Sequence, residues 1–221
     1  MKKNSIFILV GMLTAFVLWT LAVCFVDVKA IGPDETTVGL ATVNEYFHKL
    51  TGVNFSLYAL TDWLGLVPVF TSLSFGLLGL IQWICRKHIS RVDYSIFVLG
   101  GFYFVVLAVY LFFEKCVVNY RPVLINGILE ASYPSSTTLL VLCVMPTAAM
   151  QLNSRIKNKI LRLCLTFLIT AFVVFMVVGR LLSGVHWLTD IIGGIILSTL
   201  LVMLYRFVIE IRLHRKNKIK P

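Results

Sequence analysis

The sequence predicts an all-α, polytopic membrane protein: six transmembrane helices in a bundle, with both termini cytoplasmic. Three observations carry this. Of the 221 residues, 59% are hydrophobic and only 14% charged. The apolar residues gather into six runs, each approaching the ~20 residues needed to cross a bilayer. Lys and Arg fall mainly in alternate connecting segments. No internal repeat or low-complexity linker divides the chain, so residues 1–221 read as one domain.

The runs lie near 5–26, 62–85, 93–114, 134–150, 161–179 and 187–208. With six spans, one side of the membrane holds only Lys29, Lys49, Lys115, Arg121 and Arg180 of the 20 basic residues, together with every acid except Asp93 and Glu210. The net charge of +10 therefore divides into +13 on the basic side and −3 on the other. The basic side is expected to be cytoplasmic. So uneven a charge sorts topology and does not point to nucleic acid. The basic tail at 209–221 is expected to meet anionic lipid headgroups.

The first run ends near Asp27. Leu21-Ala22-Val23-Cys24 is a poor lipoprotein cleavage site, because Val23 is bulky and the run is long for a signal peptide. Cys24, Cys85, Cys116, Cys143 and Cys164 are scattered, form no C-x-x-C pair and sit mostly within spans, so neither a disulfide framework nor a metal site is expected. Residues 28–61 form an extracytoplasmic loop that opens with a turn at Gly32-Pro33-Asp34. Within it Val43, Tyr46, Phe47 and Leu50 recur at helical spacing, which predicts an amphipathic helix lying in the interface. That helix reads first as a connector and second as a lid; His48 on it reads as a surface histidine. The second run starts at Asp62-Trp63, carries Pro68 in its first turns, and places Trp63 and Trp83 at opposite interfaces. The third run ends in Glu114-Lys115.

Two outer stretches carry chemistry. One runs from Lys115 through Asn119-Tyr120-Arg121-Pro122 to Glu130, Tyr133 and Pro134-Ser135-Ser136-Thr137, where the fourth run begins. A proline followed by hydroxyl residues starts a helix well and leaves backbone N–H groups free for an anion. The other is Gly179-Arg180, then His186-Trp187-Leu188-Thr189-Asp190. His186 and Asp190 lie four apart, so a helix would put both on one face, where a carboxylate can fix an imidazole tautomer. Arg121 and Arg180 bring permanent charge and forks suited to phosphate oxygens. Taken alone, each stretch is also explained as a helix cap or a snorkelling arginine. Together, opening on one side of the membrane, they point to phosphate chemistry.

In order and content these stretches resemble the type 2 phosphatidic acid phosphatase (PAP2) superfamily of membrane lipid phosphatases, whose signature is K-x6-R-P, P-S-G-H and S-R-x5-H-x3-D. The third motif matches from Arg180 through His186 to Asp190, with Gly179 replacing the serine. The catalytic motifs span about 115–190. The resemblance implies that His186 attacks phosphorus to form a phosphohistidine and that Asp190 orients it. Arg121, Ser135, Arg180 and Lys115 would hold phosphate, with Ser136 and Thr137 as further contributors from the second motif, and neither metal nor cofactor is implied. Two departures stand out. Lys115 and Arg121 are one residue too close, so that Glu114 takes the lysine register. Thr137 stands where the family has the histidine that protonates the leaving group, and threonine cannot be that acid near neutral pH. Glu130 or Tyr133 could supply the proton instead.

An alkoxide leaving group needs that proton more than a departing phosphate does, so a polyprenyl or other lipid diphosphate suits the site better than a simple monoester. The expected protein is a lipid phosphatase or phosphotransferase working at the outer leaflet of a plasma membrane, in a bacterium, among membrane lipids and a phosphorylated lipid substrate. Undecaprenyl diphosphate is an example of such a substrate. A catalytically impaired relative that binds phosphorylated headgroups is the alternative. A transporter is a third reading, and the intact R-x5-H-x3-D spacing argues against it.

Overall fold

The computed structural model describes residues 2–219, with side chains over 5–212, so the basic side chains beyond Arg212 lie outside the described residues. The elements follow in order as helix α1 (Lys2–Phe25), strands β1 (Lys29–Ala30) and β2 (Thr37–Val38), and helices α2 (Ala41–Thr51), α3 (Phe55–Leu64), α4 (Leu66–Arg86), α5 (Tyr94–Lys115), α6 (Ser136–Arg155), α7 (Lys159–Leu182) and α8 (Leu188–Ile219). Among the described residues, six segments are long and apolar enough to cross a membrane, α3 and α4 together making the second.

That second segment begins earlier than its apolar run suggests. Asn54 caps α3, its side chain accepting the Leu57 N–H at 2.9 Å, so the helix starts at Phe55 rather than at Asp62. The ladder then breaks at Gly65, because Pro68 has no N–H to give the Leu64 carbonyl. The fourth segment runs past its expected end at 150 to Arg155. Gln151 is polar yet belongs to this helix: it is buried and donates to the Ser95 carbonyl at 3.1 Å and the Tyr205 hydroxyl at 2.5 Å.

Helices α6 and α8 occupy the middle. Their core joins Leu139 and Cys143 of α6 to Leu197, Leu201 and Tyr205 of α8, with Phe16 and Val23 of α1 and Leu99, Phe102 and Val106 of α5 around them. The outer faces stay apolar and open, with Phe7 at 73%, Phe104 at 72% and Ile160 at 76% exposure. Such a surface suits lipid, where close packing between helices, and not release of water, holds the bundle together.

Between the first two spanning segments, β1 and β2 pair antiparallel through a short turn at Pro33–Glu35 and lead into α2. The amphipathic helix expected around 43–50 is α2. Its apolar residues Val43, Tyr46 and Leu50 are exposed, while Ala41 and Asn44 face inward. Asn44 accepts the Thr189 N–H at 3.2 Å and donates to the Thr189 hydroxyl at 2.9 Å, clamping the start of α8. His48 is not a free surface histidine. It is half-buried, its Nε2 lies 3.1 Å from the Gly184 carbonyl, and its ring rests 5.4 Å from that of Trp187. The inward face of α2, through Asn44 and His48, thus straps the loop between α7 and α8 and the start of α8.

Candidate active site

The α5–α6 loop folds as a narrow antiparallel ribbon. Asn126 and Gly127 both have positive φ (52° and 77°), the conformation of a type I′ hairpin turn, and Ile125 pairs with Ile128 across them. Farther down, Tyr120 bridges Ala131, the Arg121 N–H donates to the Glu130 carbonyl at 3.1 Å, and the Ser132 N–H donates to the Asn119 carbonyl at 2.9 Å. Side chains alternate along such a ribbon, so Asn119, Arg121, Glu130 and Ser132 share one face. The Trp187 indole donates to the Tyr120 carbonyl at 2.8 Å and fastens the ribbon to the α7–α8 loop.

That second loop is set by close backbone contact. Gly184 has φ +66°, and a Cβ there would lie 1.9 Å from the Gly52 carbonyl oxygen. Gly179, where the family signature has serine, faces Thr61: a Cβ would come within 2.8 Å of its methyl group. Arg180 closes α7, Asp190 opens α8, and His186 sits between them; all three are buried.

Asp190 does not meet His186 directly. Ser132 stands between, donating to Asp190 Oδ2 at 2.5 Å while its oxygen lies 2.9 Å from His186 Nδ1. Asp190 also accepts from the Trp187 N–H at 3.0 Å and the Asn119 side chain at 3.2 Å. Because the Ser132 proton goes to the carboxylate, its oxygen must accept from Nδ1–H. Nε2 then carries the lone pair and accepts from Arg180 Nη2 at 3.3 Å. Burial, then the charges of Arg121 and Arg180, hold the His186 imidazole well below its ordinary protonation range, so it is neutral and nucleophilic.

The two guanidiniums share one small region. The Tyr58 ring lies 4.9 Å from Arg180 and 5.9 Å from Arg121. Arg180 has Asp62 at 3.6 Å, and Arg121 has Glu130 at 3.0 Å. Even so, Arg121 Nε and Nη1, Arg180 Nε, Ser135 Oγ and Thr138 Oγ1 are buried with no hydrogen-bond partner. Buried donors without acceptors are costly, and two like charges this close raise the cost further. An oxyanion would satisfy both. Ser135 caps α6 without bonding its own helix, while the Ser135 N–H donates to the Asp190 carbonyl at 3.1 Å and locks the two helix starts together.

Not every expected residue arrives. Lys115 is exposed at the end of α5, and Glu114 rather than Lys115 lines the polar pocket. Thr137 and Ser136 border an apolar cleft of about 1080 Å³ between α4, α5 and α6. The polar pocket, about 200 Å³ and lined by Glu114, Arg121, Glu130 and Ser132, shares Tyr110, Ser136 and Leu139 with that cleft. The Tyr133 hydroxyl bonds Thr20 at 2.7 Å and its ring packs on Phe113, which turns it into the bundle. Among the described residues no group of His, Cys, Asp and Glu is arranged to hold a metal ion. Ser132 and Asn119 complete the site, and the spacing of the third motif gave no sign of either.

A six-span bundle that buries a histidine, a carboxylate relay and two arginines at one end defines a class of polytopic membrane proteins. The chain belongs to the PAP2 superfamily, which matches residues 101–212. The matched part takes in Arg121, Ser135, Arg180, His186 and Asp190. The fold is similar to that of a transmembrane PAP2-type phosphatidylglycerolphosphate phosphatase from Bacillus subtilis, with a TM-score of 0.60 at 18% identity over 96% of this chain and 97% of that one. No curated protein matches the sequence.

The electrostatics predict a pH profile. If His186 is the nucleophile, the acid limb of kcat/KM should lie well below the ordinary histidine value of about 6.5. Arg121→Gln removes a nearby cation and should move that limb upward, whatever it does to the plateau. A limb near 6.5 that ignores Arg121→Gln would contradict this origin.

Proposed function

We propose that the chain is a membrane phosphatase or phosphotransferase that takes lipid phosphates or diphosphates at the outer leaflet and works through a phosphohistidine on His186. The observation that carries this reading is the set of buried, unpaired donors on Arg121, Arg180 and Ser135 gathered around a histidine whose Nε2 lone pair faces the Arg180 guanidinium. Three phosphoryl oxygens would occupy those donors while Nε2 approaches phosphorus in line. Fixed cations there neutralise charge as it shifts to the leaving oxygen. The apolar cleft beside the polar pocket suits the lipid chain. The concentration of Lys and Arg on the opposite connecting segments supports an outward site. The exposed apolar face of α2 supports a seat in the outer interface.

A departing phosphate needs a proton less than an alkoxide does, so a diphosphate should turn over faster than phosphatidate whichever residue supplies that proton. The test is rapid-quench turnover of detergent-purified protein with labelled polyprenyl diphosphate and labelled phosphatidate. Acid-labile phosphate on the protein, with the diphosphate faster, is expected. Equal rates would reject the leaving-group argument, and no protein-bound phosphate would reject the phosphohistidine. Thr137 and the outlying Lys115 favour one other reading, a headgroup-binding protein without turnover; phospholipid binding in the absence of phosphate release would select it.

A further inference from the structure

We infer that Glu130 is the general acid and base of this site, taking the part for which Thr137 is chemically unfit; the inference rests on the phosphatase reading above. Among the described residues only His186 of the histidines belongs to the site: His48 is bonded to the Gly184 carbonyl, and His88 lies beyond the far end of α4. Tyr133 is turned away toward Thr20. Three carboxylates remain at the mouth: Asp62, Glu114 and Glu130.

Glu130 is the best placed of the three. The ribbon sets it directly opposite Arg121, 3.0 Å from Nη2, in the polar pocket that joins the apolar cleft. Its side chain is 38% exposed, against 59% for Asp62, whose contact with Arg180 is longer at 3.6 Å. Glu114 reaches the pocket but makes no ion pair there. Arg121 meets Glu130 through Nη2 and leaves Nε and Nη1 without partners. A phosphate that takes up the free Nε and Nη1 of Arg121 brings its own negative charge beside that carboxylate. The phosphate and the Glu130 carboxyl therefore share one guanidinium.

The step then balances. His186 Nε2 forms a bond to phosphorus as the bond from phosphorus to the leaving oxygen breaks, and the Glu130 proton goes to that oxygen. Water next attacks the phosphohistidine and gives its proton to the Glu130 carboxylate, which releases phosphate and restores both side chains.

The experiment compares kcat/KM on phosphatidate, whose leaving group is an alkoxide, with that on 4-nitrophenyl phosphate, whose leaving group needs no proton. The full-length detergent-purified protein is used throughout. Glu130→Gln should lower the phosphatidate value about 10²-fold or more beyond its effect on the aryl ester, and Glu130→Asp should recover part of the difference. Glu114→Gln and Asp62→Asn should lower both substrates by a common factor. Equal losses on both substrates in Glu130→Gln would show that Glu130 only holds Arg121, and would overturn the assignment. A selective loss in Asp62→Asn or Glu114→Gln would overturn it as well. Failure of the phosphatase reading looks different: wild-type protein would then form no acid-labile phosphate from either ester.

Discussion

His186→Ala should lower phosphate release by at least about 10⁴-fold on every phosphorylated substrate and abolish acid-labile phosphate on the protein. The size follows from the geometry. Nε2 is the nitrogen left with a lone pair, since Nδ1 is committed to Ser132, and it points toward the guanidinium of Arg180. Among the described residues no second histidine reaches the pocket to replace it. Without the imidazole, water would have to attack phosphorus directly, with only the arginines lowering the barrier. Binding should survive, because Arg121, Arg180 and Ser135 are untouched; inorganic phosphate should still compete with a fluorescent phospholipid for the protein. A loss of less than about tenfold in His186→Ala would remove His186 from the chemistry and favour the headgroup-binding reading.

What the sequence reveals and what it hides divide along physical lines. Spans are legible because lipid demands long apolar runs, whereas the same-face argument for His186 and Asp190 fails, since α8 starts at Leu188 and His186 lies in the loop before it. Arg180 and His186 nevertheless meet across that loop, with Nη2 3.3 Å from Nε2. The link between His186 and Asp190 was not legible, since Ser132 enters from another loop 54 residues away in the chain. One signal was present and unread: Asn126-Gly127 marks a type I′ turn, and it predicts the ribbon that aligns Asn119, Arg121, Glu130 and Ser132. His48 looked like a surface group because its partner, Gly184, is 136 residues along the chain. The register question at the first motif could be posed from sequence but not answered. At the end of α5 the turn of the helix brings Glu114 to the pocket and leaves Lys115 outside.

Ser132→Ala should cut kcat by about 10²-fold or more while leaving the inhibition constant for inorganic phosphate within about threefold. The hydroxyl does two things at once: it accepts Nδ1–H and donates to Asp190 Oδ2. Removing it strands a buried imidazole N–H and takes one of two donors from Asp190 Oδ2, which keeps the Trp187 N–H, and the tautomer with its lone pair on Nε2 loses its advantage. The loss therefore belongs to attack on phosphorus and not to phosphate capture, which rests on the arginines. Single-turnover measurements should show slower phosphoenzyme formation with unchanged saturation. Ser132→Thr keeps an oxygen with the same two bonds available and should restore much of the rate, which a loss caused by packing alone would not predict. Asp190→Asn is the companion test: it keeps the shape but replaces the charged acceptor of the Ser132 proton, so it should resemble Ser132→Ala, and the double variant should be little worse than either alone. If Ser132→Ala retains kcat within about threefold, the serine is a bystander and His186 is set by its loop alone. If the two losses multiply in the double variant, Ser132 and Asp190 act on the imidazole separately, and the relay drawn from these distances is wrong.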